Sequence, residues 1–308
     1  MVRSGRVVIG GGFLLLMILL CAGTLPWTAI SDTNSRLYFD RQNMQEAWTA
    51  PSVRPSGQLA MCLGTDRLGR SVLGRALTGG AISLGIGVMA AAIAVVIGVS
   101  VGLIAGYAGG WLDNLLMRIV DVLYSLPYVL MIILLKIAME PLLMRIMERL
   151  DIQSGKQAVA NLIVLFLSIG LVSWLTMARV VRGQVLSLRS QPFIEACRAL
   201  GLPSWQILLR HLLPNLVGPV IIYATLTIPV AILQESFLSF LGIGIQPPMP
   251  TWGSLASEGL GEGLNPIHSR PWLLVVPCLL LALTLLSLNF VGDALRDILD
   301  PRREQAKV

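Results

Sequence analysis

The chain has 308 residues, is 55% hydrophobic and only 13% charged, and carries a formal net charge of +6; its mean hydropathy is +0.76. A soluble globular domain is typically about 25% charged, so an ordinary soluble domain is excluded. Nearly all the cations are Arg, placed in loops where they suit topology signals and anionic headgroups; no nucleic-acid signature accompanies them, and no alternation over about 10 residues suggests a transmembrane β-barrel.

A helical span needs roughly 20 mainly apolar residues. Six stretches qualify, at about 7–26, 81–107, 115–139, 158–180, 215–241 and 271–292. The expected fold class is all-α, a polytopic membrane protein with six transmembrane helices. Arg3 and Arg6 precede the first span and resemble the start of a signal peptide. Ala22-Gly23-Thr24 is a poor cleavage site and five more spans follow, so an uncleaved first helix is expected. Cys21 follows Leu20, where a lipidation site would want a small residue. With Cys62, Cys197 and Cys278 it forms no CxxC or metal spacing, so neither a disulfide nor a metal site is expected.

Residues 27–78 are the longest polar stretch, too short and polar for a core of their own. Within them 66–77 read as an interfacial helix with Arg67, Arg70 and Arg75 among apolar residues, or else as a solvated loop. The second span places Ala90, Ala94, Gly98, Gly102 and Gly106 on one helix face. Such small residues let helix backbones approach closely in lipid. The face serves either a partner membrane subunit or packing within this chain.

In the third span, Arg118, Asp121 and Lys136 are costly at membrane depth unless paired or facing water. Lys136 and Glu140 are spaced to pair. Asp121 is a candidate pathway residue, or an ion-pair partner of Arg118. A charged loop over 140–157 follows. The fifth span contains Pro219 and Pro229, which kink helices. Gln234, Glu235 and Ser236 after them either line a translocation path or mark the helix end. Residues 242–270 are rich in Gly and Pro, and Trp252 suits a membrane interface. Segment 179–214 has five Arg and one acid, which favours the cytoplasmic side and puts both termini there. No whole-domain repeat suggests a two-halves transporter.

Between the fourth and fifth spans lies a soluble helix pair. Pro192 suits a first helical turn, and Glu195 then sits near the positive end of the dipole. Gly201 occupies a left-handed C-terminal cap position and Pro203 blocks continuation. The first helix is expected over 192–200, with Phe193, Ala196, Cys197 and Leu200 on one face and Glu195 and Arg198 on the other. Ser204 is expected to cap a second helix that ends near Pro214. A short helix with small residues fits either a cleft on another protein or the lipid surface.

Glu195-Ala196-Cys197, Gly201 and Leu213-Pro214 resemble the EAA signature of ABC-importer permeases, with Cys197 in place of Ala and His211 in place of Ile. Further blocks resemble the C-type permease branch of dipeptide, oligopeptide and nickel importers: Leu63-Gly64-Thr65-Asp66-Arg67-Leu68-Gly69-Arg70, Glu235 to Gly242, Pro250-Thr251-Trp252-Gly253, and Gly292 to Asp297 with Asp300-Pro301. Ser71 stands where that family usually has Asp, and Gly74 where it often has Ser.

The resemblance implies a type I ABC-importer permease in the bacterial inner membrane. Its partners would be a B-type permease subunit, two cytoplasmic ABC ATPases and an extracytoplasmic substrate-binding protein. It divides the chain into 1–26, cytoplasmic N-terminus and first span; 27–78, extracytoplasmic; 79–302, permease core with coupling helices at 190–214; and 303–308, cytoplasmic tail. It implies ATPase coupling by Glu195, Ala196, Cys197, Arg198, Gly201, His211 and Pro214. Candidate path residues are Gln234, Glu235 and Asp121. Candidate binding-protein contacts are Asp66, Arg67, Arg70 and Trp252. Gly98, Gly102 and Gly106 are the helix-packing face. The chain has no GxxxxGK[ST] loop, so ATP and Mg belong to the partner ATPases and this chain is expected to bind no cofactor and catalyse nothing. Peptide is the expected substrate, with nickel chelates or another small solute as alternatives. An ion-coupled secondary transporter is the rival from another class, with Asp121, Glu235 and Asp293 as carriers.

Overall fold

The computed structural model describes residues 5–29, 35–52, 59–149 and 156–299. Ten α-helices are found among them: α1 (Gly5–Thr28), α2 (Val72–Ala108), α3 (Gly110–Tyr124), α4 (Tyr128–Arg149), α5 (Lys156–Arg189), α6 (Pro192–Ala199), α7 (Ser204–Ile207), α8 (Leu213–Phe240), α9 (Trp252–Gly263) and α10 (Trp272–Leu299). No strand forms among the described residues; one isolated bridge joins Thr65 to Ser71. Five helical stretches are long and apolar enough to cross a membrane: 7–28, 72–108, 158–189, 204–240 and 272–299.

The third of the six expected spans differs. The apolar stretch 115–139 is shared by α3 and α4, which bend by 97° at a short break. Pro127 explains the break. It has no N–H to donate, and its ring disfavours helical geometry at Leu126. The chain turns through Ser125 and Leu126, and Pro127 begins the next helix by accepting Met131 N–H at 3.1 Å.

Helix α2 is the centre of the bundle, and its most extensive contact is with α5. The two run parallel. A Cβ at Gly98 would lie 2.5 Å from Met177 Cβ, one at Gly102 2.5 Å from the Ala178 carbonyl oxygen, and one at Gly106 2.8 Å from Val185 Cβ. On α5, Gly170 does the same for Ile93, at 2.8 Å. The glycine face therefore packs within this chain. Ile86, Ala90, Val120, Ile132, Leu165 and Ile169 fill the adjoining core.

At one end of the bundle, here the near end, α1 meets α10 through Gly10 and Phe290. The C-termini of α2 and α5, helix α6 and the start of α8 gather at the same end. The far end holds the start of α2, the end of α8, α9 and the start of α10, tied together by Arg75–Glu258 and by the Trp252 indole N–H to Ala76 O at 3.0 Å. At 1.5 Å per residue α2 is roughly 55 Å long, longer than the roughly 30 Å of hydrocarbon it would cross.

The far end corrects the reading of 66–77. Residues 66–71 form a turn rather than a helix: Asp66 Oδ1 accepts Leu68 N–H and Arg70 N–H, both at 2.9 Å. Val72–Leu77 are the opening turns of α2, capped by Ser71 Oγ accepting Gly74 N–H. Arg70 and Arg75 are buried rather than lying on a surface. Arg70 donates to Asp66 at 2.7 Å, and Arg75 donates to Asp66 at 2.9 Å and to both oxygens of Glu258 at 2.7 and 3.0 Å. Burial works against the charge on Arg70, but Asp66, Glu258 and Asp40 hold its pKa above the ordinary guanidinium value.

Candidate functional site

Helix α6 starts at Pro192 and spans two turns. Its end is a complete Schellman closure: Gly201 N–H bonds to Arg198 O at 2.9 Å and Leu202 N–H to Cys197 O at 3.2 Å. Gly201 has φ +74°, the left-handed conformation that this cap requires and that glycine adopts without penalty. Both α6 and its cap thus form as the sequence indicated.

Which face of α6 points inward is different. Ile194 and Cys197 are buried, packed with Leu103 of α2, Met177, Val181 and Val185 of α5, Ile207 and Leu216. Phe193, Glu195, Ala196, Arg198, Ala199 and Leu200 are exposed, Leu200 by 80%. Cys197 therefore serves this chain's own packing, while Ala196 stays on the outer face. Ile194 is the anchor that the sequence reading missed; its i, i+3 spacing to Cys197 was the available signal.

The second element also departs from expectation. Pro203, not Ser204, is the N-cap, and the helix does not stop at Pro214. The chain passes from α7 through a π-helical segment, Leu208–Leu212, directly into α8. Leu213 N–H bonds to Leu208 O, five residues back. Pro214 brings no N–H, and the wider turn accommodates its ring; π-segments of this kind are common at functional sites. Asn215 Nδ2 donates to the His211 carbonyl at 2.6 Å, covering an acceptor in the disturbed stretch.

The near end is wired to the bundle by charge. Arg189 of α5 donates to Gly106 O at 2.9 Å, satisfying a carbonyl of the last turn of α2. Arg182 grips Asp113 of α3 with two bonds, 2.6 and 2.7 Å. The Arg198 guanidinium lies 5.3 Å from the Tyr107 ring centroid. These pairs join residues 69 to 91 positions apart, beyond the reach of any local spacing rule.

The remaining candidates scatter. Asp121 is exposed and pairs with Arg179 at 2.8 Å, not with Arg118. Lys136 forms no ion pair with Glu140; its buried amine donates to the carbonyls of Ile243 and Gly244, the latter at 2.8 Å, just past the end of α8. Glu235 is fully buried and lines no open path in this conformation. It accepts Ser239 Oγ at 2.7 Å and Ser83 Oγ at 3.3 Å, tying α8 to α2. Gln234 is half-buried beside it. Of the four outer-surface candidates, only Arg67 is exposed; Asp66, Arg70 and Trp252 are internal. Trp252 fills a socket beside Cys21, Met17 and Gly80 instead of meeting the interface.

Residues 98–305 match the family model described as the binding-protein-dependent transport system inner membrane component. The chain belongs to that family. It is 43% identical over 255 residues to the oligopeptide transport system permease protein OppC of Escherichia coli, covering 83% of this chain and 77% of that one. It is 36% identical over 300 residues to the dipeptide transport system permease protein DppC of Bacillus subtilis, covering 97% and 83%. Its fold is similar to that of a chain in the inward-facing MetNI methionine ABC transporter, with TM-score 0.55 and 20% identity over 73% of this chain and 96% of that one. This member of the inner-membrane component family is thus a multi-pass membrane permease component of an ABC transport system.

Proposed function

We propose that this chain is half of the translocation path of an ATP-driven importer of di- or oligopeptides. A B-type permease subunit supplies the other half. Two cytoplasmic ATPases bind ATP and Mg, an extracytoplasmic binding protein delivers the peptide, and this chain makes and breaks no bonds. The near end, with both termini, is cytoplasmic; the five Arg of 179–214 support that orientation. The peptide substrate is supported by the names of the relatives.

The observation that carries the mechanism is a short helix anchored on one side and bare on the other. Ile194 and Cys197 seat α6 among α2, α5 and the root of α8, while Phe193, Glu195, Ala196, Arg198 and Leu200 stay uncovered. An ATPase gripping that face moves a lever whose inner side is packed against three membrane helices. Gly201 holds the turn behind it. The π-segment carrying His211, followed by Pro214, is the compliant joint through which α8 tilts. ATP binding shifts the balance between inward- and outward-open states by its differential stabilisation of one of them.

The test is peptide uptake into proteoliposomes containing the complex co-purified with this chain. Uptake of a labelled dipeptide is expected only with ATP inside and binding protein outside. Uptake that proceeds without ATP and collapses with an uncoupler would overturn the reading in favour of ion-coupled transport.

A further inference from the structure

The uncovered apolar surface at the near end is not confined to α6. The second element, α7 with the π-segment behind it, is apolar on two opposite faces. Ile207 and Leu212 are buried in the core that holds Leu103, Val181 and Cys197. Trp205 and Leu209, four positions apart and so neighbours on a helix surface, point away from that core and are 60% and 54% exposed. From Ser204 to Leu212 the only formal charge is on Arg210, which is exposed and forms no ion pair among the described residues. A helix that is apolar all round is covered all round. This chain covers one side of it only.

Lipid does not reach the other side. Helix α10 ends beside α8 at Gly218, where an added Cβ would lie 3.8 Å from Leu299 O. The last two turns of α10 already carry exposed Asp293, Arg296 and Asp297. From Gly218 the helix runs back to Ser204 as part of one continuous stretch, which places Trp205 roughly 20 Å beyond the end of α10. An interfacial tryptophan sits at headgroup level; Trp205 stands well past it, on the water side.

We propose that Trp205 and Leu209 form a second anchor for the ATPase that α6 engages. They fill an apolar socket on that partner, with a carboxylate at its rim for Arg210. The proposal rests on the importer reading and adds to it a contact outside α6. Buried tryptophans dominate the binding energy of many interfaces. Trp205 stands on the ATPase side of the π-segment, so a grip there acts on α8 through that joint without passing through α6 or Gly201.

The test uses the membrane complex in lipid nanodiscs, with its ATPases stripped by urea and titrated back. Trp205→Ala is expected to weaken rebinding about tenfold or more, Leu209→Ala to weaken it less, and Trp205→Phe to keep most of it. Thermal unfolding of the stripped permease is expected to stay unchanged, because both side chains are more than half exposed. Brominated lipids read the competing occupant: the fluorescence that Trp205→Phe removes is expected to resist quenching by them. Quenching of that fluorescence, or rebinding unchanged by Trp205→Ala where the unaltered permease takes back its ATPases, overturns the anchor alone. Failure of the unaltered permease to rebind any ATPase overturns the importer reading with it. Leu209→Ala decides the question if Trp205→Ala fails to fold.

Discussion

Gly201 shows how one residue joins local conformation to function. An added Cβ there would meet nothing within 4 Å, so the requirement is purely one of backbone geometry. Gly201→Ala is expected to cost about 1–2 kcal/mol, the penalty of a left-handed L-residue, and to leave transport largely intact. Gly201→Pro cannot reach φ +74° and loses the bond to Arg198 O. It is expected to insert in the membrane yet lose the coupling of ATP hydrolysis to uptake. Normal coupled transport by that variant would sink the lever model. Cys197 teaches the opposite lesson. Its small size was legible in the sequence, but its inward direction depends on where α2, α5 and α8 stand relative to α6.

Among the elements, the α2–α5 seam and the α4–α8 clasp carry different kinds of strength. The seam is steric. At Gly102 the obstacle is a main-chain oxygen 2.5 Å from the would-be Cβ, which cannot rotate aside. Gly102→Val is expected to cost about 1–3 kcal/mol or more through overpacking, whereas Gly12→Ala, with open space around it, is expected to be neutral. Thermal unfolding of the detergent-solubilised complex compares the two. The clasp is polar. Removing the Lys136 amine leaves the Ile243 and Gly244 carbonyls without that donor. Lys136→Met is expected to destabilise by about 1–3 kcal/mol per orphaned acceptor and to free α4 from the far end, read as faster hydrogen exchange over 241–245. Unchanged exchange there would remove Lys136 from this role. The broken third span belongs here too. Pro127 was visible in the sequence, but continuous apolarity outweighed it, because composition reports burial and not direction.

For the whole molecule, the far-end ion cluster fixes the first loop, α2 and α9 as one unit. Arg75 joins Asp66, whose side chain is 9% exposed, to Glu258 at 36%. Arg75→Met removes the bond that links Asp66 to Glu258 while Arg70 still pairs with Asp66, and is expected to cost about 1–3 kcal/mol; Glu258→Gln, at the wetter end, is expected to cost under about 1 kcal/mol. Limited proteolysis of the 35–71 segment in membranes reads both, and equal effects of the two variants would show that the cluster is not the tie. With the far end fixed in this way and α6 packed on α2, α5 and the root of α8, the proposed lever would deliver its motion to whole helices.

The sequence alone determined the class of this protein, because a bilayer demands long apolar runs and short helices in water demand explicit caps. Those demands are local, so five of the six expected spans, α6 and the Gly201 turn were readable from 308 letters. Tertiary structure alone decided which partners the buried charges found. Asp113 took Arg182, Arg75 took Glu258, and Lys136 took two carbonyls, across 69 to 183 residues of chain. It also turned Trp252, Asp66 and Arg70 from expected surface contacts into internal ties. A charge at low dielectric must be paired, but its own sequence neighbourhood does not say with what; only the folded arrangement of helices brings the partner within reach.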